Sequence, residues 1–250
     1  MRVAILCSGG KDSAYAAWWA MMQGWDTVAI ITIGIKGNDS MMFQIPGTFI
    51  SAFQSVCMNV PWLPVESSGK EELEMLDLKN AILGKNDNLN AYNSIWPEHI
   101  KKNQNLDLFM GKLKIDALVT GALRSDYQKT RIERMCESLG IISFSPLWHK
   151  DPLEHMNSLI ELGFEIKFIS VSCEGLDKEW LGTSLTKDNL SQLVNLSKQF
   201  RFNLDGEGGE FETITVSGPH MKNKIKCSGK VCFKSGRGLW EIEEADITQC

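Results

Sequence analysis

The sequence predicts an α/β fold: a parallel, twisted sheet with helices on both faces, followed by a smaller α+β domain. Three observations predict it. Short continuous apolar runs such as Val3–Cys7 have the composition of strands buried on both faces of a sheet. Stretches with apolar residues at helical spacing alternate with them through the first 140 or so residues. After Pro146-Leu147-Trp148 that alternation gives way to a chain that ends β-rich.

The elements follow in order. Val3–Cys7 is the first strand and stops at Ser8-Gly9-Gly10. Asp12–Gln23 carries Ala, Trp and Met at helical spacing and is closed by Gly24. Thr27–Ile33 is the next strand, Phe49–Met58 a helix, Trp62–Val65 a strand and Lys70–Leu83 an acidic helix. Asp116–Thr120 is a strand and Tyr127–Leu139 a helix capped by Gly140. Between these units, residues 84–109 carry asparagine at 86, 88, 90, 93, 103 and 105 and little apolar period, which predicts a surface insertion. Beyond Trp148 come a helix at Asp151–Leu162, a strand at Glu165–Ser172 and a helix at Lys187–Phe200. The division expected is residues 1–146 for the first domain and 147–250 for the smaller second.

Composition removes several function classes. With 250 residues, 43% hydrophobic and 23% charged, the chain has ordinary globular usage, so fibrous and wholly disordered readings fall away. A net charge of −5 argues against broad electrostatic binding of nucleic acid, and no direct nucleic-acid contact is expected. No apolar run approaches the roughly 20 residues of a membrane span. Seven scattered cysteines read as reduced thiols of a cytoplasmic protein. There is no Cys-x-x-Cys, no metal spacing among His99, His149, His155 and His220, and no Gly-x-Ser-x-Gly elbow.

The chemistry concentrates at Ser8-Gly9-Gly10-Lys11-Asp12-Ser13, after the first buried strand and at the start of a helix. Two glycines let backbone approach phosphate oxygens, and a helix N-terminus offers unpaired N–H groups and a positive dipole end. Ser8 and Ser13 add hydroxyls and Lys11 a positive charge. The spacing is neither Walker A nor Gly-x-Gly-x-x-Gly. A plain strand-to-helix turn capped by Ser or Asp is the competing reading.

This hexapeptide resembles the PP-loop of the ATP pyrophosphatase superfamily, whose adenine-nucleotide α-hydrolase-like, Rossmann-like members cleave ATP to AMP and pyrophosphate while adenylating an acceptor. Further segments are similar to one branch of it: Gly121-Ala122-Leu123-Arg124-Ser125-Asp126-Tyr127-Gln128 with Arg131-Ile132-Glu133, Pro146-Leu147-Trp148, Gly175-Leu176-Asp177 with Trp180-Leu181-Gly182, and Gly206-Glu207-Gly208-Gly209-Glu210-Phe211-Glu212-Thr213. Together they resemble the diphthine–ammonia ligase family, over nearly the whole chain except 84–109. The PP-loop marks only the superfamily; the last segment narrows it to the branch.

The resemblance implies amidation of the diphthine carboxylate on translation elongation factor 2 with ammonia, through an acyl-adenylate, yielding diphthamide, AMP and pyrophosphate. It implies ATP and Mg²⁺ as cofactors and a cytoplasmic setting, and leaves homo-oligomerisation open. In that reading Ser8, Gly9, Gly10, Lys11, Asp12 and Ser13 hold the nucleotide with Gly121, Ala122 and Ser125, and Lys11 and Asp12 are the catalytic candidates. Asp12 reads equally as an Mg²⁺ ligand and as a helix cap. Small residues at 121 and 122 would admit ribose or the adenylate, and Ser125 also reads as a helix cap. Tyr127, Gln128, Trp148, Glu207, Glu210 and Glu212 fall to the acceptor. Because diphthine carries a trimethylammonium group, Trp148, Trp180 and Phe211 are candidates for an aromatic contact, each with a core role as its rival.

Gln44, in Met41-Met42-Phe43-Gln44, departs from the family, which commonly has histidine there; the amide replaces only part of its hydrogen bonding. Free ammonia is the expected nitrogen donor, since the chain shows no glutaminase region and no N-terminal cysteine nucleophile. Two other readings stay open: a PP-loop enzyme adenylating a small-molecule carboxylate or a tRNA base, and a non-catalytic adenine-nucleotide-binding protein.

Overall fold

The apolar runs become strands that bury alternate side chains on opposite faces. In a computed structural model, which describes residues 1–35 and 47–249, strand β1 is Arg2–Leu6, helix α1 Lys11–Met22, β2 Asp26–Ile35, α2 Ile50–Met58 and β3 Trp62–Ser67. Gln44 lies outside the described residues. Helices α3 (Glu71–Ile82) and α4 (Asn88–Ile95) precede β4 (Ala117–Thr120), α5 (Asp126–Leu139) and β5 (Ile142–Phe144). The remainder holds α6 (Pro152–Glu161), β6 (Glu165–Val171), a short 3-10 turn at Lys178–Trp180, α7 (Lys187–Phe200), β7 (Phe211–Ser217), β8 (Asn223–Lys234) and β9 (Arg237–Gln249).

The first five strands form a parallel sheet in the order β3-β2-β1-β4-β5. The chain order reverses between β1 and β4, and open α/β sheets bind ligands at the carboxyl ends of such a pair. On β1, Val3 and Ile5 face one core while Ala4 and Leu6 face another, so both faces are dry. Helices α3 and α5 cover the Ala4–Leu6 face through Leu78, Ile82, Ile132 and Met135. The second sheet is antiparallel, in the order β7-β6-β9-β8, and it lies against α1 and α2.

The first sheet ends with β5 at Phe144 and the second begins with β6 at Glu165, and a single core joins them. One cluster of buried side chains runs from Val3 and Ile5 through Ala14, Ala17 and Phe53 to Ile166, Phe168 and Ile214. Helix α1 is therefore an interior layer, buried by both parts of the chain.

Residues 84–109 differ from the surface insertion expected. Asp87 caps α4 by accepting from the Asn90 amide at 3.0 Å. Trp96 is buried and stacks on Phe53 with ring centroids 5.2 Å apart. Leu108 bridges to Trp62, whose amide donates to Asp107 O at 2.8 Å. The segment thus closes the β3 edge. Its buried apolar residues, Ala91, Trp96 and Ile100, are too few to make a periodic stripe, which is why the period missed it.

Candidate functional site

The turn between β1 and α1 is built by backbone contacts with the second sheet. Gly9 takes φ +90°, where an L side chain is strained. Its carbonyl accepts from Thr215 N at 2.9 Å and from Gln54 Nε2 at 2.9 Å. Gln54 also donates to Thr215 O at 2.8 Å, stitching α2 to β7 behind the turn. Ser13 Oγ donates to Gly10 O at 3.0 Å, and the Lys11 amide donates to Thr213 Oγ1 at 3.2 Å. Gly10 occupies the N-cap of α1 and no side chain caps it. Neither Ser8 nor Asp12 caps the helix, and the amide of its first residue, Lys11, is taken by Thr213 on β7 instead.

A cleft of about 180 Å³ opens at the carboxyl ends of β1 and β4. Leu6, Ile33 and Ile132 supply its apolar wall; Ser8, Asp12, Ser13, Thr120, Gln128 and Glu207 supply polar groups. Among the described residues no lysine or arginine lines it. Lys11 turns away: it is 4% exposed, and its Nζ donates to Asp205 O at 2.6 Å and to Asp12 Oδ2 at 2.9 Å. Asp12 Oδ1 lies 2.7 Å from Nε2 of His155 on α6. Burial pushes the Asp12 carboxyl up, but the Lys11 charge and the His155 bond outweigh that and hold it below its ordinary value. Glu207 moves the other way, raised by burial and by the negative charges of Asp12 and Asp205 against the hydrogen bond from the Arg124 amide.

A second ion pair fastens the 206–210 turn. Arg124 NH2 reaches both oxygens of the fully buried Asp205 at 2.6 Å, and the Arg124 amide donates to Glu207 Oε1 at 3.1 Å. Gly121 has its own reason to be glycine. A Cβ there would sit 2.6 Å from Asp12 C and 2.7 Å from Ser13 N. Its smallness thus lets the β4–α5 loop close on the start of α1.

The predicted residues separate. Ser8, Asp12, Ser13, Gly121, Ala122, Gln128 and Glu207 line the one cleft, with Gly9 and Gly10 forming the turn beneath it. Ser125 caps α5, accepting from Gln128 N at 3.3 Å. Tyr127 lies under the Arg131 guanidinium at 4.5 Å, and Trp148 under Lys129 Nζ at 5.0 Å, neither in the cleft lining. Of the three acids only Glu207 lines the cleft. Glu210 accepts from Asn203 N and Gly208 N and so shapes the turn. Glu212 sits on β7 beside Ser170, its carboxyl pushed up to about 7 by burial. Trp180 and Phe211 are core residues packed on Phe168, at ring distances of 5.2 Å. His155, Asp205, Arg124 and Gln54 complete the site without having been singled out for it, because their partners stand 45 to 194 positions away.

Hard oxygen donors on a cleft with no basic lining fit a magnesium-bound polyphosphate. Mg²⁺ is held by one or two carboxylates plus phosphates rather than by a closed protein cage, and Asp12 and Glu207 supply that number. Among the described residues no group of three or more ligating side chains occurs.

Residues 1–143 match the family of the diphthamide synthase N-terminal domain and residues 151–247 that of its C-terminal domain. The chain belongs to the diphthamide synthase family. It is 30% identical over 246 residues to the diphthine–ammonia ligase of Schizosaccharomyces pombe, covering 93% of this chain and 38% of that protein. To the human diphthine–ammonia ligase it is 29% identical over 234 residues, covering 90% and 82% respectively. To that of Saccharomyces cerevisiae it is 29% identical over 259 residues, covering 91% and 36%. The chain thus spans little more than a third of the two yeast proteins and most of the human one.

Proposed function

From membership of that family we propose that the chain is an ATP-dependent amide ligase that converts the diphthine carboxylate of translation elongation factor 2 to diphthamide. The observation that carries the reading is the glycine turn opening, at the sheet's switch point, into a cleft lined by Asp12 and Glu207 and by no lysine or arginine among the described residues.

A carboxylate oxygen is a poor leaving group, so the acceptor carboxylate attacks the α-phosphorus of ATP and pyrophosphate departs. Ammonia then attacks the acyl carbon of the mixed anhydride; AMP leaves and the nitrogen sheds a proton. Catalysis of both steps is chiefly positioning and charge stabilisation. Ser8, Ser13 and the start of α1 bind and orient the phosphates, while Leu6, Ile33 and Ile132 offer an apolar wall to the base. Asp12 and Glu207 would hold Mg²⁺, which supplies neutralisation of phosphate charge. Lys11 fixes the turn, since its ammonium is engaged by Asp205 and Asp12. Arg124 and Asp205 hold Glu207 at the mouth, and the acceptor approaches past the 206–210 turn. Among the described residues no helix is long and apolar enough to cross a membrane, and the six described cysteines are free, as a cytoplasmic setting would have them.

The test supplies the chain with labelled ATP, ammonium, Mg²⁺ and elongation factor 2 arrested at diphthine. AMP and pyrophosphate formation that depends on the factor, with carboxyl-to-amide conversion by mass spectrometry, is the expected result. Nucleotide binding with neither product would sink the acceptor assignment.

A further inference from the structure

Histidine is an expensive choice for a side chain that is 0% exposed, and His155 uses only half of its polar capacity. Its Nε2 lies 2.7 Å from Asp12 Oδ1, while its buried Nδ1 has no hydrogen-bond partner. The ring otherwise meets apolar packing: Tyr15 stands edge-on at 5.3 Å, and Met156 and Leu159 on the same helix are buried. An apolar side chain of similar size would pack there and leave no ring nitrogen unsatisfied. The return for placing a histidine at 155 is therefore its bond to Asp12.

We propose that His155 is a positioning residue of the nucleotide site: its Nε2–H holds Asp12 Oδ1 and, with Lys11 on Oδ2, sets the carboxylate at one angle toward the cleft. The inference rests on the reading of the cleft as a magnesium-nucleotide site. A carboxylate only accepts, so the hydrogen of this pair is on Nε2. The terminal torsion of an aspartate is broad, and one bond leaves it free to swing; a second bond from the opposite side removes that freedom. The second anchor is rigid. Helix α6 starts at Pro152 and is capped by Asp151, which accepts from Glu154 N at 2.9 Å. Lys11 meets Oδ2 at 2.9 Å and is tied to Asp205 O at 2.6 Å, and Oδ1 is held by His155.

Outer groups that orient a metal-binding side chain are typically worth about 10–100-fold in metal affinity or activity. The test compares full-length His155→Leu and His155→Gln with the parent chain. A non-hydrolysable ATP analogue is titrated calorimetrically with Mg²⁺ and again in chelator, and thermal unfolding is followed in parallel. His155→Leu is expected to weaken Mg²⁺-dependent binding about 10–100-fold, to leave Mg²⁺-free binding near the parent value, and to stay folded. His155→Gln, whose amide can donate to Oδ1, is expected to recover most of the loss. Should the leucine chain fail to fold, His155→Gln against His155→Met carries the same contrast. Equal Mg²⁺-dependent binding in parent and leucine chains overturns the proposal, as does a glutamine variant no better than leucine, or a loss of the same size with and without Mg²⁺. Because binding needs no acceptor, a parent chain that binds but does not amidate sinks only the ligase reading. Full amidation with binding indifferent to residue 155 sinks only this one.

Discussion

Two networks of basic side chains paired with carboxylates lie in this molecule, one beneath the cleft and one on the β8–β9 hairpin. In the inner one the Lys11, His155 and Asp205 side chains are buried, and the partners come from opposite ends of the chain. In the outer one Lys230 is 59% exposed and pairs with Glu241 and Glu243 on the neighbouring strand, at 3.2 and 3.7 Å. The inner charges have lost water and depend on each other, whereas the outer ones keep it. Removing one member should therefore have large consequences inside and almost none outside, and that contrast can be pressed from both ends.

The largest effect is expected at Arg124. Arg124→Leu leaves Asp205 fully buried without its bidentate partner, a class of change that costs about 3–5 kcal/mol. Urea unfolding should show it as a drop in midpoint. Removing both charges, with Arg124→Leu and Asp205→Leu together, should recover much of the loss, because the cost lies in the orphaned charge. A double variant as unstable as the single would mean that the pair matters through shape and not charge.

Next comes Gly121→Ala. The added methyl meets Asp12 and Ser13 backbone at 2.6 and 2.7 Å, and backbone cannot step aside as a side-chain tip can. Overpacking of this kind costs about 1–3 kcal/mol, and nucleotide affinity should fall with it because the displaced atoms are the first residues of α1. A variant with parental melting temperature and affinity would remove the close-approach account of this glycine.

The fold and the loop were legible for the same reason. Both are local: Val3–Cys7 is a buried strand by its own composition, and Ser8–Ser13 brings its glycines and hydroxyls together in six consecutive residues. What surrounds the loop was not legible. The bond from His155 to Asp12 and the contact of Lys11 with Asp205 join residues 143 and 194 positions apart, so no spacing announces them. Lys11 looked like a phosphate ligand because nothing local shows that β7 and the 203–206 turn would claim its amide and its ammonium. The three acids of 207–212 looked like one group, but a turn and a strand aim neighbouring side chains in different directions, and only Glu207 reaches the cleft.

Between the two networks stand buried titratable groups that lack a full ionic partner, and they should appear in pH dependence. Burial raises Glu212 to about 7, opposed by the Ser170 bond and the Lys11 charge, so the folded chain binds its proton more tightly and stability falls as pH rises through that range. Burial lowers His220 to about 4, so the unfolded chain binds its proton more tightly and stability rises with pH up to the ordinary histidine range. The slopes oppose each other where they overlap, in mildly acid solution. Glu212→Gln should therefore unmask a stability that rises with pH from about 4 and then levels, by on the order of 1–3 kcal/mol. Denaturation midpoints across pH 4–8 that keep the parental shape would show that Glu212 titrates normally.

The smallest effect is expected on the hairpin. Lys230→Ala removes two ion pairs at once, with Glu241 and Glu243, yet should leave the urea midpoint almost unmoved. Lys230 and its partners are about half exposed or more, so water replaces each lost contact. Raising salt sharpens the comparison further. Screening should erase the small Lys230 difference, because exposed pairs interact through solvent, and should leave the Arg124 difference nearly intact, because ions do not enter the space around Asp205. If both differences shrank together with salt, burial would not be what separates the two networks, and the exposure of the inner charges in solution would have to be greater than their packing implies.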